Sequence, residues 1–249
     1  RVARLLAAFA REEVWPDLSA EPLPKCGFYR PGEGVVDLSA ALNGVGNAAP
    51  LLPILFYRSM LMAADVAPID ALYEALHSRG LAPLPIFVSG LKDADAIQFL
   101  EDTLVPLKPA AMIAATAFAS HSDEDGKSLF DRLGVVTFQV IMATTRRDGW
   151  ADNMRGLNPS DLAMHVVLPE LDGRILAGAI SFKQLDPEGG RGLVHCPEPD
   201  RVEQVAERIS AFLRLKNADP SERRIVILMP DYPGAAPGRT GYAVGLDVP

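Results

Sequence analysis

The 249-residue chain has little of what several classes of protein require. Its two cysteines, Cys26 and Cys196, match no zinc-ligand spacing and make a poor disulfide framework, so we expect a reducing, cytoplasmic location. There is no block of Lys and Arg, and the formal net charge is -8, so a nucleic-acid partner is not expected. The apolar runs fall far short of the roughly 20 residues that span a bilayer, so we expect no membrane span.

The chain also lacks a phosphate-binding loop with the required lysine. The segment "PDYPGAAPGRTGYA" follows an apolar run, as a P-loop would. However, the spacing between its glycines is one residue short, and Arg239 stands where the lysine should be. We therefore expect no nucleotide at this loop. The alternatives are a glycine-rich loop that another ligand or domain approaches, and a plain surface turn.

What the sequence does contain is a regular alternation of apolar runs and amphipathic stretches. Runs of strand length occur at 51–57, 82–88, 110–117, 135–142, 174–182 and 224–229. Helical patterns separate them, with Asp93 as the predicted cap of one helix and Asn158, followed by Pro159, as the start of another. Continuously apolar strands between amphipathic helices are typical of a parallel sheet that is covered on both faces.

The pattern therefore predicts an α/β protein with three segments. Residues 1–49 form an N-terminal helical and loop segment that includes the Pro/Gly-rich connection "PKCGFYRPGEGVV". Residues 50–185 form a flavodoxin-like or Rossmann-like lobe with helices on both faces of a parallel sheet. Residues 186–249 form a linker helix and the first strand of a second, truncated α/β lobe. Both chain ends fall inside predicted elements, so we expect a piece of a longer protein.

An unusual corner lies in "MHVVLPELDGRILAGAISF", residues 164–182. Glu170 and Asp172 follow the carboxyl end of a helix, where the helix dipole disfavours another negative charge. A carboxylate held there suits binding a cation or accepting a proton. The alternative is structural: Asp172 and Gly173 make a turn, while Glu170 pairs with Arg174.

The four histidines show no spacing typical of a metal site, so no metal ligands are assigned. His77 is expected on a helix surface, and His195 is expected in a loop without a function. His121 follows a strand end, which suits either a functional site or an ordinary loop. His165 shares a helical face with apolar residues and is either a core residue or, because Glu170 is near in sequence, part of a site.

Three stretches of the sequence resemble one family. They are "ILFYRSMLMAADVAPIDALYEALHSRGLAPLPIFVSGLKD", "QVIMATTRRDGWADNMRGLNPSDLAMHVVLPELDGRILAGAISFK" and "PDYPGAAPGRTGYAVGLD". They are similar to the large subunit of aerobic cobaltochelatase, the CobN type, and more distantly to the H subunit of magnesium chelatase. The resemblance covers nearly all of residues 50–249, and "GLNPSDLAMHVVLPELDGRI" is its most specific part.

The resemblance implies ATP-dependent insertion of Co²⁺, the substrate metal, into hydrogenobyrinic acid a,c-diamide in cobalamin biosynthesis. In that family the large subunit holds the tetrapyrrole, while separate AAA+ partner subunits use ATP and Mg²⁺, which agrees with the missing P-loop lysine. The isolated fragment should then neither hydrolyse ATP nor insert metal. The alternatives are a non-catalytic scaffold or partner-docking lobe of the chelatase, and the magnesium chelatase H-type homologue.

The resemblance also suggests site residues. Removing two pyrrole-type protons from the ring requires a base, and Glu170 is the predicted base or transient metal ligand. His165 is the second predicted catalytic residue, because the magnesium branch has Gln there and the cobalt branch has His. The predicted substrate-binding residues are Arg58, Trp150, Asp172 and Arg239.

Overall fold

The computed structural model describes residues 9–11, 22–44, 46, 48–120, 127–187, 189 and 192–227. Within them, eight strands form one mixed sheet. The strands are β1 (Gly27–Arg30), β2 (Gly34–Val36), β3 (Leu51–Tyr57), β4 (Ala82–Val88), β5 (Met112–Ala114), β6 (Thr137–Arg146), β7 (Ile175–Leu185) and β8 (Leu193–Pro197). Their order across the sheet is β2-β1-β4-β3-β5-β6-β7-β8.

The centre of the sheet is parallel and confirms the predicted fold class. Strands β4, β3, β5, β6 and β7 pair in parallel in that order. Counted along the chain, this is the 2-1-3-4-5 order of a flavodoxin-like fold. The predicted strands 51–57 and 82–88 agree with β3 and β4, whereas the predicted strand 110–117 is shortened to the three residues of β5.

Helices connect the strands. They are α1 (Leu38–Ala41), α2 (Arg58–Met62), α3 (Ala67–His77), α4 (Ala94–Leu107), α5 (Leu129–Leu133), α6 (Arg147–Ala151), α7 (Pro159–Leu162), α8 (Leu168–Glu170) and α9 (Pro199–Asn217). A π-helical turn (Ala163–Val167) joins α7 to α8, and a 3-10 turn spans Pro220–Glu222. The Asp93 side chain caps α4, and Asn158 caps α7, as predicted. No helix in the described part of the chain is long and apolar enough to cross a bilayer.

Helices cover both faces because the strand order reverses at β3, with β4 on one side of it and β5 on the other. Helix α3 leads from β3 to β4, and α4 leads back across β3 to β5; right-handed crossovers then place α3 and α4 on opposite faces. Arg79, just after α3, pairs with Glu203 of α9 at 2.6 Å, which places α9 on the α3 face. Arg132 of α5 contacts Glu101 of α4 on the other face.

The core lies between these layers. All seven residues of β4 are buried, and five of the seven residues of β3 are buried. Phe56 and Phe87 are wholly buried and meet edge to face, with ring centroids 6.4 Å apart. Each large apolar side chain contributes about 1.5–3 kcal/mol when it is fully buried, so this core stabilises the strands that carry the site.

Antiparallel strands extend the parallel centre on both sides, and the sequence analysis missed them. Strand β1 pairs with β4 and β2 inside the predicted Pro/Gly-rich connection, and β8 pairs with β7. The expectation that His195 lies in a loop was therefore wrong, since His195 belongs to β8. These strands have only three to five residues, too few for an alternating apolar pattern to show. Whether the three predicted segments behave as separate domains stays a prediction.

Contacts divide the chain into two units, residues 1–211 and 212–249. The described part of the second unit contains the end of α9, the 3-10 turn and an irregular segment at 223–227. Ile225, Val226 and Ile227 are 79–84% exposed. The predicted strand at 224–229 was therefore wrong for residues 224–227, while 228 and 229 lie outside the described residues. An apolar run becomes a strand only through pairing, and no described strand pairs with it.

Candidate functional site

The strands β3 to β7 end at one edge of the sheet, which we call the carboxyl edge. Doubly wound sheets bind ligands there, at the point where the strand order reverses, which in this chain lies between β3 and β5. The Tyr57 hydroxyl at the end of β3 donates to the carbonyl of Ala117, after β5, at 2.9 Å. Arg58 begins α2 at the same place, and its guanidinium donates to the carbonyls of Leu23 and Pro24 at 2.8 and 2.9 Å. Arg58 thus holds the chain before β1 against the end of β3.

A buried ion pair lies beside this edge. Arg174 Nη2 donates to Asp172 Oδ2 at 2.6 Å, and both side chains are 0% exposed. The guanidinium lies 4.6 Å from the centre of the Phe130 ring. Burial lowers the pKa of Arg174 below its ordinary value, although the Asp172 carboxylate opposes that shift. The structural alternative, in which Glu170 pairs with Arg174, was therefore wrong on this point, because Asp172 is the partner.

The turn in the corner is formed as expected. Gly173 has φ +69°, and its N–H donates to the carbonyl of Glu170 at 3.0 Å. A positive φ suits glycine, which has no Cβ. The turn sends the chain from α8 into β7 and places Asp172 and Arg174 towards the protein interior.

The ion pair holds the loop of residues 115–120 after β5, which we call the 115–120 loop. Arg174 donates to the carbonyl of Phe118 at 2.9 Å and to that of Thr116 at 3.2 Å. The N–H of Ser120 donates to Asp172 Oδ2 at 2.8 Å. Backbone groups of this loop are thereby satisfied by side chains far away in sequence, so the substitution of either charge should loosen the loop.

The segment of residues 159–170, which we call the crossover segment, is anchored by a second buried carboxylate. Asp161 is 0% exposed and accepts hydrogen bonds from the backbone N–H and the hydroxyl of both Thr144 and Thr145, at 2.6–2.9 Å. Burial alone would raise the pKa of Asp161, but these hydrogen bonds outweigh it and hold the pKa below its ordinary value. The sequence analysis missed Asp161, although two threonines at a strand end before "NPSD" were a visible signal.

Glu170 and His165, the two predicted catalytic residues, line one pocket of about 140 Å³. Its wall is formed by Gln139, His165, Val166, Pro169, Glu170, Arg174 and Leu176. The Glu170 side chain is exposed and forms no hydrogen bond or ion pair with the described residues. The structure thus brings together two residues that the sequence analysis proposed to act together.

His165 itself is buried, with 7% of its surface exposed. Its Nδ1 has no hydrogen-bond partner among the described residues. Burial lowers the pKa of His165 below its ordinary value, against the charge of Asp161, so the ring is neutral at pH 7. A neutral imidazole offers a lone pair to a proton or to a metal ion.

Trp150, another predicted site residue, does not line this pocket. The Trp150 ring stacks on Phe182, with centroids 4.4 Å apart, and the Arg201 guanidinium lies 5.2 Å from its centre. Trp150 is therefore already packed within the fold. Arg239 and His121 lie outside the described residues.

A histidine and an aspartate that the sequence analysis did not connect meet between β8 and the loop after α2. The His195 N–H donates to Asp65 Oδ1, and its ring Nδ1 lies 2.8 Å from Asp65 Oδ2. Lys183 also contacts Asp65 Oδ2, at 3.0 Å. Burial lowers the pKa of His195 despite Asp65, so the ring is neutral and donates its Nδ1–H to Asp65. No three His, Cys, Asp or Glu side chains in the described ranges are arranged to hold a metal ion.

Comparison with known proteins assigns the family. The family model described as CobN/Magnesium Chelatase matches residues 2–249. The chain belongs to this family. The resemblance inferred from the sequence motifs is therefore confirmed.

Relatives come from both branches of the CobN/magnesium chelatase family. The chain is 37% identical over 244 residues to the aerobic cobaltochelatase subunit CobN of Sinorhizobium sp, covering 92% of this chain and 19% of the relative. It is 30% identical over 272 residues to the H subunit of magnesium chelatase from Rhodobacter capsulatus, covering 99% of this chain and 22% of the relative. The chain thus spans about a fifth of the length of these relatives.

A solved structure shares the fold. The catalytic subunit of cobaltochelatase from Mycobacterium tuberculosis superposes with a TM-score of 0.69 at 24% identity. The match covers 96% of this chain and 20% of that chain. At this identity the likeness establishes the fold of the chain.

Proposed function

We propose that this chain is part of the tetrapyrrole-binding large subunit of an ATP-dependent cobaltochelatase. The enzyme would insert Co²⁺ into hydrogenobyrinic acid a,c-diamide in cobalamin biosynthesis. Family membership over residues 2–249 supports a chelatase, and the 37% identity to a CobN subunit supports cobalt over magnesium. The observation that carries the proposal is the pocket in which Glu170 and His165 meet.

Glu170 is proposed as the base of the reaction. Metal insertion releases two protons from the ring, and a carboxylate that accepts one of them lowers the barrier. An exposed carboxylate without a partner among the described residues is free to take a proton or to contact the incoming metal. Arg174 also lines the pocket, but it forms its ion pair with Asp172 and not with Glu170.

His165 is proposed to assist the metal at the same pocket. His165 lines the pocket, and its neutral ring supplies a nitrogen lone pair, which suits cobalt better than the amide of a glutamine does. The pocket has about 140 Å³, whereas sites that enclose a whole organic ligand have about 300–1,000 Å³. The ring would therefore lie across the pocket, with the rest of its site supplied by other parts of the longer protein.

The remaining predicted residues keep their proposed role in binding the tetrapyrrole. Arg239, and the part of the Arg58 guanidinium that does not donate to Leu23 and Pro24, would bind polar substituents of the ring. Asp172 would act through Arg174 and the 115–120 loop, and Trp150 would offer the part of its ring not covered by Phe182. ATP would be hydrolysed with Mg²⁺ by AAA+ partner subunits, so the fragment alone would neither hydrolyse ATP nor insert metal.

The test is Glu170→Gln in the full-length protein with its ATPase partners. Gln keeps the size of the side chain but cannot accept the proton. We expect cobalt insertion to slow by about 10²–10⁴ while the Kd for hydrogenobyrinic acid a,c-diamide is unchanged. The control is Glu74→Gln, an exposed carboxylate on α3, which should insert cobalt at the normal rate. Normal insertion by folded Glu170→Gln protein would instead favour a scaffold role for this lobe.

A further inference from the structure

The 115–120 loop presents an aromatic side chain from an unfavourable backbone conformation. Phe118 has φ +64°, in the left-handed region that bulky residues avoid because Cβ crowds the following carbonyl. Its side chain is not buried in compensation, since the residue is 48% exposed. Such a conformation persists only where the surrounding structure imposes it, and it concentrates at ligand-binding sites.

The surroundings of Phe118 fix its backbone on both sides. Its N–H donates to the carbonyl of Met164 in the π-helical turn at 2.9 Å, and its carbonyl accepts from Arg174 at 2.9 Å. Arg174 is held in turn by the buried pair with Asp172. The backbone from which the Phe118 ring projects is therefore held in place.

The position of Phe118 is that of a ligand contact. It follows β5 on the carboxyl edge, at the place where the strand order reverses between β3 and β5. A glycine would adopt this backbone without strain, so the strained phenylalanine contributes through its ring rather than through its backbone. A half-exposed ring on a backbone that is held at this edge offers a flat apolar face, and the ordering entropy of that backbone has already been lost in folding.

We propose that Phe118 stacks on the face of the tetrapyrrole and positions the macrocycle over the carboxyl edge. The inference rests on the proposed function, because it takes the ligand to be a tetrapyrrole. A broad ring with an apolar face and polar substituents matches an exposed aromatic side chain flanked by backbone groups that are already satisfied. Asp172 and Arg174 then act as positioning residues, because they hold the loop that carries Phe118.

The test uses the full-length protein and titration with hydrogenobyrinic acid a,c-diamide. Phe118→Gly removes the ring and relieves the strain, so we expect a Kd about tenfold higher together with an unchanged or higher Tm. Phe118→Tyr keeps the ring and should bind within about twofold of wild type. The matched control is Lys108→Gly at the end of α4, which relieves a similar strain at φ +47° and should leave the Kd unchanged.

A wild-type Kd for Phe118→Gly would overturn the inference while leaving the proposed function intact. If that variant also had a lower Tm, the ring would be covered by another part of the longer chain instead of by the tetrapyrrole. If the wild-type protein fails to bind the tetrapyrrole while it is folded, the proposed function itself fails.

Discussion

Removing the negative charge of Asp172 should loosen the 115–120 loop much more than removing an exposed charge. Asp172→Asn keeps the shape of the side chain and an oxygen for Arg174 and for the Ser120 N–H, but leaves the Arg174 guanidinium buried without a counter-charge. Breaking a buried ion pair in this way costs about 3–5 kcal/mol. Because the asparagine oxygen still accepts, we expect the lower end, about 3 kcal/mol.

The assay is hydrogen–deuterium exchange of the peptide that covers residues 112–120 in the full-length protein. A loss of about 3 kcal/mol in local stability speeds exchange by about 10²-fold. The control is Asp148→Asn, which breaks an ion pair with Arg146 that also joins residues two apart, but with side chains 56% and 62% exposed. Exposed pairs contribute about 0–1 kcal/mol, so the control should change exchange several-fold at most. Equal effects of the two substitutions would refute the argument from burial.

Two further predictions concern pH and the turn. The pKa of His195 is lowered in the folded protein, so the unfolded chain binds its proton first as pH falls. The contribution of His195 to stability should be constant above about pH 6.5 and fall below it by up to about 1.4 kcal/mol per pH unit. Hydrogen-exchange protection of β8, corrected for intrinsic rates, should fall with pH in the same way. His195→Gln should weaken this pH dependence, and an unchanged pH dependence in the variant would contradict the prediction. Gly173→Ala meets no atom but must adopt φ +69°, so we expect about 1 kcal/mol of destabilisation. Gly149→Ala, in open space within α6, should be neutral or stabilising, and similar losses at both glycines by denaturant titration would refute the reasoning.

The parallel centre of the fold was predictable because its signals are local. Strands β3 and β4 are unbroken apolar runs, and the caps Asp93 and Asn158 stand directly before their helices. Each of these signals needs only neighbouring residues to be interpreted. The helical segments between them then limit the topology to a doubly wound sheet.

The edge strands of the sheet and the side-chain contacts of the site were not predictable in the same way. Strand β8 exists through its pairing with β7, and Asp65 meets His195 across 130 residues of sequence. The choice between Glu170 and Asp172 as the partner of Arg174 depends on the turn at Gly173, which residue spacing alone does not determine. The motif at residues 164–182 predicted the turn at Gly173, but the pairing of Arg174 with Asp172 became clear only from the structure.

The π-helical turn at Ala163–Val167 has a consequence for how this corner evolves. Such a turn holds one residue more than the α-helical path, and each helical residue advances by about 100°. Deletion of one residue within it would restore the α-helical path and change the position of His165, inside the turn, relative to Glu170, which follows it. A homologue could then retain His165 and Glu170 in a sequence alignment and still have lost the pocket that they share. Insertions and deletions within this turn are therefore more informative about whether the pocket is retained than identity at either residue.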